Sequence, residues 1–311
     1  MKVFLNRRVH IGPWGGGNRT VKTLCERLEN KGHSFTFDLS QDIDVIYCHD
    51  PKPDGSTGLL YDHLLYMKHN FNIPIFQRVG DVFHHRGKQT TEYLKKTLVY
   101  PDAISFITDW AANYLNMEID SSRTFVHDLR SPKLFLREKR VNKSNNKKIR
   151  LITHHWSNNN LKGMMFYNKI DQLLEEDKYK NLEFVYLGRI PENFKPKNII
   201  ILPPQDTEGV IDELDLSDIY VTASQYETGG NHVVEAISRG LPVLYHSNGG
   251  GICSLCKNNG YKYTSIEVFQ NVLDLAINDK MSSKKYEKFV DTLEDVCDVY
   301  ISIMEKLVDA K

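Results

Sequence analysis

Two glutamates on either side of a glycine turn form the chain's most chemically suggestive stretch, Ser224-Gln-Tyr-Glu-Thr-Gly-Gly-Asn-His-Val-Val-Glu-Ala-Ile-Ser-Arg-Gly-Leu-Pro-Val-Leu244. Asp218 to Ser224 has the β-branched and aromatic content of a buried strand. Gly229, Gly230 and Asn231 break that strand and cap a helix expected from about His232 to Arg239. Gly240 suits the helix end, and Leu241-Pro-Val-Leu restarts an extended segment. A glycine turn that opens a helix aims free N–H groups and the positive end of the helix dipole at one point, which suits a phosphate or an anionic leaving group. Glu227 stands just before the turn and Glu235 about one helical turn inside the helix, so both can reach one bound molecule from different sides. Carboxylates are poor phosphate ligands but good acceptors for sugar hydroxyls. The combination points to a sugar nucleotide, against the plainer alternative of an αβ turn with two solvated glutamates.

At these residues the sequence resembles the retaining glycosyltransferases of the GT-B fold, in particular their large family four. That fingerprint is Ser-x-x-Glu, a small glycine turn, a second Glu eight positions after the first, then Ala, a Gly and Pro-Val. Ser224, Glu227, Gly229, Gly230, Glu235, Ala236, Gly240, Pro242 and Val243 match it in order. The resemblance implies an α/β chain of two Rossmann-like domains facing across a cleft, with a closing helix that crosses back to the first. It implies transfer of a hexose from a nucleoside-diphosphate sugar to a hydroxyl acceptor, a glycan or a lipid-linked saccharide. Glu227 would accept from hydroxyls of the transferred sugar and Glu235 from the ribose, with Gly229, Gly230, Asn231 and His232 also on the donor. No cofactor or metal is expected, because turn amides, Lys162 and the helix dipole would stabilise the departing diphosphate. Two other classes stay open: an inactive sugar-nucleotide-binding or scaffolding subunit, and a GT-B nucleotide-sugar epimerase.

The elements that must position these residues follow the same β-α alternation. Ile149-Arg-Leu-Ile-Thr reads as a strand, leading through His154-His-Trp-Ser-Asn-Asn-Asn-Leu-Lys-Gly163 to a helix with Met165, Ile170, Leu173 and Leu174. The family has an Arg in this turn and, five residues on, a Lys-Gly. Lys162-Gly163 matches, but Ser157 holds the Arg position, and Arg189 at the end of strand Leu182 to Gly188 is a candidate replacement. Ile199 to Leu202 and Glu208 to Leu214 read as a short strand and helix, completing a second parallel sheet.

Towards the start, Lys2-Val-Phe-Leu is a strand, followed by the loop Gly12 to Gly17 and a helix capped by Asn18 with Val21, Leu24, Cys25 and Leu28 on one face. By resemblance, Gly15, Gly16 and Gly17 line the donor site, the alternative being a surface turn. Ser34 to Leu39 and Asp44 to Cys48 read as strands, with His49-Asp50 at the carboxyl end of the second, where open α/β sheets place ligands. Asn72 to Asp81 gives another strand. Many relatives end it in His-Asp, the His touching the donor sugar, whereas Gly80 stands there in this chain. His84 and His85 could substitute, or be solvated loop residues. Asp102 to Leu115 resembles the last strand and helix of the first domain.

The expected domains are 1–140, 147–285 and a helix over 286–311 carrying Tyr286, Phe289, Val290, Leu293, Cys297, Tyr300, Met304 and Leu307. Leu136 to Arg150, with seven Lys or Arg and one Glu, is the candidate linker. Such a basic run can also contact an anionic membrane surface peripherally. Length 311 accommodates two domains, and forty basic against forty acidic residues argue against nucleic acid as a partner. With no long apolar run and no signal-peptide pattern, the expectation is a cytoplasmic chain. Five scattered cysteines, with Cys253-x-x-Cys256 lacking a second pair, read as reduced thiols rather than a zinc or disulfide framework.

Overall fold

The structure, a computed structural model, describes residues 1–12, 15–52, 59–117, 122–138, 148–281, 286 and 288–311. It divides into two compact units, one of residues 1–129 with 291–311 and one of residues 130–290.

The first unit runs β1 (Lys2–Leu5), α1 (Gly16–Asn30), β2 (Ser34–Thr36), β3 (Val45–His49), α2 (Tyr61–Phe71), β4 (Ile75–Val79), α3 (Lys88–Thr97), β5 (Ala103–Phe106), α4 (Asp109–Tyr114) and β6 (Thr124–Val126). Its six strands form one parallel sheet in the order β2-β1-β3-β4-β5-β6. β3 and β4 are buried at every position, as both faces of a parallel sheet are covered, and they bury the polar His49, Gln77 and Arg78 with their apolar residues.

The second unit continues with β7 (Ile149–His155), α5 (Met164–Leu173), β8 (Leu182–Gly188), β9 (Ile199–Leu202), α6 (Thr207–Leu216), β10 (Ile219–Thr222), α7 (Asn231–Ser238), β11 (Val243–His246), α8 (Gly251–Leu255), β12 (Gly260–Tyr263) and α9 (Ile266–Met281). Its parallel sheet has the order β12-β11-β10-β7-β8-β9. β7 and β10 are therefore neighbours, with Leu151 opposite Ile219, and the loops that follow them meet. Among the described residues no helix is long and apolar enough to cross a membrane.

The chain ends in α10 (Leu293–Asp309), which belongs to the first unit. Leu293, Cys297, Tyr300, Ile301 and Met304 pack with Val3, Leu5, Val21, Leu24 and Leu28 in one core. The Arg27 guanidinium meets Asp298 through two nitrogens at 2.8 and 2.6 Å, fixing α1 against α10.

Several sequence expectations move. The closing helix starts at Leu293, because Thr292 and Asp295 form a reciprocal capping box. Tyr286, Phe289 and Val290 precede it, and Phe289 packs on a core of the second unit. Residues 130–138 belong to that second unit as well. Phe135 is wholly buried there, and the buried Arg239 guanidinium bonds Asp215 through two nitrogens at 2.8 Å and the carbonyls of Phe135 and Arg137 at 2.7 and 2.6 Å. Of the basic stretch 136–150, residues 139–147 lie outside the described residues. β6 adds a strand after α4, and β2 ends at Thr36, short of the expected Leu39. α1 begins at Gly16, two residues before Asn18. Instead of capping, the Asn18 side chain reaches back to the backbone of His10, accepting from its N–H at 2.7 Å and donating to its carbonyl at 2.9 Å.

Candidate functional site

The second unit assembles its polar side chains at the carboxyl ends of β7 and β10, where open parallel sheets place ligands. After β10 the chain runs through Ala223 and Ser224 to Tyr226, whose φ of 52° turns it sharply. The Tyr226 N–H then donates to the Asn248 carbonyl and the Gly251 N–H to the Glu227 carbonyl, each at 2.8 Å, tying this loop to the turn before α8. Gly230 has φ 127° and serves as the N-cap, with Asn231 the first helical residue of α7. No acidic side chain occupies the first turn of α7 and none caps it, so its leading N–H groups retain donor capacity.

The loop after β7 brings Lys162 to the same place. Gly163, at φ 84°, permits this approach, since a Cβ there would collide with the Ala223 carbonyl. The Gln225 N–H also donates to the Leu161 carbonyl at 2.8 Å. As a result the Lys162 ammonium bonds the Glu227 carboxylate, and both side chains keep partial exposure, 13% and 22%. An ammonium has three donors and a carboxylate about four acceptor positions, so each retains capacity beyond this contact.

Glu235, on α7, is almost entirely buried, and its Oε2 lies 2.8 Å from His154 Nε2. The other ring nitrogen of His154 lies 3.1 Å from the Tyr220 hydroxyl, which also accepts from the His154 backbone N–H at 3.0 Å. His232, in the first turn of α7, meets Thr222 Oγ1 at 3.1 Å, and its ring centroid is 4.8 Å from that of His155. His155 Nε2 is 3.0 Å from the Tyr167 hydroxyl. Burial, followed by His232 and Lys162, holds His155 well below the usual imidazole range. Burial, then Lys162, does the same to His232. Both rings are therefore neutral at physiological pH. Ser224 Oγ and His155 Nδ1, both buried, have no hydrogen-bond partner among the described residues.

Glu227, Lys162, Gly229, Gly230, Asn231, His232 and Glu235 thus belong to one constellation. Arg189 follows β8, the other neighbour of β7; it is exposed, and its guanidinium stacks 3.8 Å over the Trp156 ring. Ser157 accepts from the Asn159 backbone N–H at 3.3 Å and from its side-chain amide at 3.2 Å, a turn-forming role. Gly15, Gly16, Gly17, His84 and His85 belong to the first unit. Gly15 is the N-cap of α1, and Gly16 and Gly17 open that helix. His84 Nδ1 meets the Tyr114 hydroxyl at 2.6 Å, and His85 is exposed, 3.9 Å from Asp81. His154 and Tyr220 were not singled out from the sequence, although His154 is the penultimate residue of a strand whose carboxyl end meets the site. Among the described residues no three His, Cys, Asp or Glu side chains converge as a metal site.

Residues 183–292 match the family model of glycosyl transferases group 1. No curated protein matches the chain by sequence. Among solved structures, the chain superposes on WaaG, a glycosyltransferase involved in lipopolysaccharide biosynthesis, with a TM-score of 0.64 at 14% identity, covering 100% of this chain and 99% of that one. Anabaena Alr3699/HepE in complex with UDP and glucose gives 0.64 at 12% identity, over 99% and 97% of the two chains. Sucrose-phosphate synthase from Thermosynechococcus elongatus gives 0.67 at 12% identity, over 99% and 96%. The fold is that of the GT-B glycosyltransferases.

Proposed function

We propose that the chain is a retaining, metal-independent glycosyltransferase that moves a hexose from a nucleoside-diphosphate sugar to a hydroxyl of a glycan or lipid-linked acceptor. The observation that carries this is the convergence of Lys162, Glu227 and the α7 N-terminus, with Glu235 further along the same helix. The group 1 family match over 183–292 and the UDP and glucose bound by the similar HepE structure support it. No cofactor takes part in this reading, and the setting is cytoplasmic, with peripheral membrane contact where the acceptor is lipid-linked.

In the reaction, the bond from the anomeric carbon to the terminal phosphate oxygen breaks while the acceptor oxygen bonds that carbon. The hydroxyl proton passes to an oxygen of the departing nucleoside diphosphate, which carries away the bond's electron pair. Lys162 and the free N–H groups of α7 supply positive charge where the diphosphate gains negative charge, in positions set before the reaction. Glu227 accepts from sugar hydroxyls and Glu235 from the ribose. His154 and Tyr220 hold Glu235 in place.

The substitution of Ser157 for the family's Arg favours a second reading, an inactive sugar-nucleotide-binding subunit. Incubation with UDP-sugars and a panel of saccharide acceptors separates the two. Acceptor-dependent release of UDP with a glycosylated product is expected, and UDP binding without any donor turnover would replace the transferase reading by the second.

A further inference from the structure

The first unit carries a group of cations that the donor chemistry above does not use. In the order β2-β1-β3-β4, the connection from β1 runs to β2 on one side and that from β3 to β4 on the other, and such a reversal opens a ligand crevice outside the carboxyl ends of β1 and β3. Asn6 and Arg7 leave β1 there, Asp50 and Lys52 follow His49 of β3, and Gly80 follows Arg78 and Val79 of β4. Asn6 clamps the end of β1 to β3, accepting from the His49 N–H at 2.7 Å and donating to the His49 carbonyl at 3.3 Å.

The negative charge in this region is already committed. Asp50, at φ 47°, turns inward, and its Oδ1 accepts from the N–H groups of Gly80 and Asp81 at 2.6 and 3.2 Å. Its Oδ2 lies 3.1 Å from His49 Nε2 and 3.9 Å from an Arg78 nitrogen. The positive charge is not committed in the same way. A Cβ on Gly17 would lie 2.5 Å from an Arg7 guanidinium nitrogen and 3.0 Å from His49 Nε2, so both groups are directed at the first turn of α1. That turn has no acidic residue and no side-chain cap.

A cation beside the positive end of a helix is repelled by it, yet Arg7 has no hydrogen bond or ion pair among the described residues. Lys52 is half-buried and likewise without one, and burial, then Arg86 and Arg7, push its ammonium below the usual lysine range. His49 is wholly buried, and among the described residues its Nε2 has only the Asp50 carboxylate, 3.1 Å away and poorly aligned for a hydrogen bond.

We propose that Arg7, Lys52 and the first turn of α1 bind a phosphate or carboxylate group carried by the acceptor, so that this transferase takes an anionic saccharide. Naming the ligand an acceptor rests on the transferase reading; the oxyanion site stands without it. The donor's own diphosphate has the same chemistry, and the experiment separates the two sources.

Calorimetry on the full chain with inorganic phosphate, and separately with UDP, compares wild type with Arg7→Gln, Lys52→Gln and Lys162→Ala. Phosphate should bind wild type and Lys162→Ala alike, and bind each Gln variant about tenfold more weakly, as expected for loss of one charge-assisted contact. UDP affinity should be unaltered in the two Gln variants. Because neither side chain has a partner to lose, melting temperatures of these variants should match wild type. Phosphate affinity unchanged in both Gln variants, no phosphate binding by wild type, or a matching loss of UDP affinity would each overturn the proposal, the last by assigning the cations to the donor. A chain that binds phosphate as described but never turns over a nucleotide sugar loses the transferase reading and keeps the site.

Discussion

His154 Nε2 and Glu235 Oε2 lie 2.8 Å apart, joining the carboxyl end of strand β7 to the body of α7. With Tyr220 on the other ring nitrogen, the imidazole is held from both sides, and the Glu235 carboxylate is positioned before any ligand arrives. Glu227 instead sits in a loop, beside Lys162 and more exposed.

The two glutamates should therefore separate in binding experiments. Glu235→Ala is expected to weaken UDP and a UDP-sugar alike, by roughly the 1.5 to 3 kcal/mol of a charge-assisted hydrogen bond. Glu227→Ala should leave UDP affinity nearly intact while lowering turnover, because it acts on the sugar that moves. Calorimetry beside steady-state kinetics decides the assignment. Loss of UDP binding in Glu227→Ala with none in Glu235→Ala reverses it, and no effect of either places the site elsewhere.

Lys162 and Glu227 should behave as a coupled pair. Lys162→Ala is expected to cost on the order of 2 to 4 kcal/mol in transition-state stabilisation, by analogy with removing one preorganised donor. It also strands the Glu227 charge beside the substrate, so the Lys162→Ala, Glu227→Ala double variant should lose less than the sum of the single losses. Strict additivity in kcat/KM would show that the two side chains act independently and are not coupled in turnover. If Lys162 and α7 carry the diphosphate charge, EDTA should leave the rate unchanged. A rate lost to chelator and restored by magnesium or manganese would end the metal-independent reading.

The constellation around α7 was legible in sequence because its members are contiguous: one strand end, one turn and one helix hold Glu227 to Glu235, and Lys162-Gly163 has its own loop pattern. Partners that meet across strands were not. His154 and Glu235 are 81 residues apart and come together only because β7 and β10 are neighbours in the sheet, a relationship no local spacing encodes. The pairing of Lys162 with Glu227 has the same origin, so their separate roles could be read but not their contact. At the chain end, Tyr286, Phe289 and Val290 share the helical spacing of Leu293, Cys297 and Tyr300, and periodicity carried the helix too far. Thr292-x-x-Asp295 was the available signal for its true start. Asn18 misled in the opposite way, since its side chain is spent on the His10 backbone and not on the helix.

Acid should destabilise the protein before its carboxylates titrate. His155 and His232 have folded pKa values well below the ordinary value of about 6.5, and His49 is pushed down to about 4, chiefly by burial. Above about pH 6.5 neither the folded nor the unfolded chain protonates them, and stability is flat in pH. As pH falls below that value the unfolded chain takes up protons that the folded rings refuse, so stability drops by up to about 1.4 kcal/mol per pH unit for each ring, continuing for His49 to about pH 4. Calorimetric melting at pH 7.5, 6.5 and 5.5 should show this onset, and His232→Asn should shallow the slope. Equal melting temperatures at pH 7.5 and 5.5 would contradict it.

Gly80, the position at which the family resemblance would place a histidine, follows β4 directly. A Cβ on Gly80 would collide with the Arg78 guanidinium and lie 3.1 Å from Asp50 Oδ2. Arg78 is 4% exposed, faces Asp50 at 3.9 Å and lies close to Tyr300, so it has nowhere to retreat within that buried setting. The glycine is thus required by the buried arginine two residues before it. Gly80→Ala should cost roughly 1 to 3 kcal/mol, the usual penalty for overpacking a filled interior. Gly80→His should cost more and should not raise turnover, because its ring enters only by displacing Arg78. Combining Gly80→Ala with Arg78→Met should lose less than the two single changes together, since the shorter side chain removes the collision. Melting and kinetics on these variants test the account: a neutral Gly80→Ala, or a Gly80→His that gains activity, would show that Arg78 is free to move and that the glycine answers to something else.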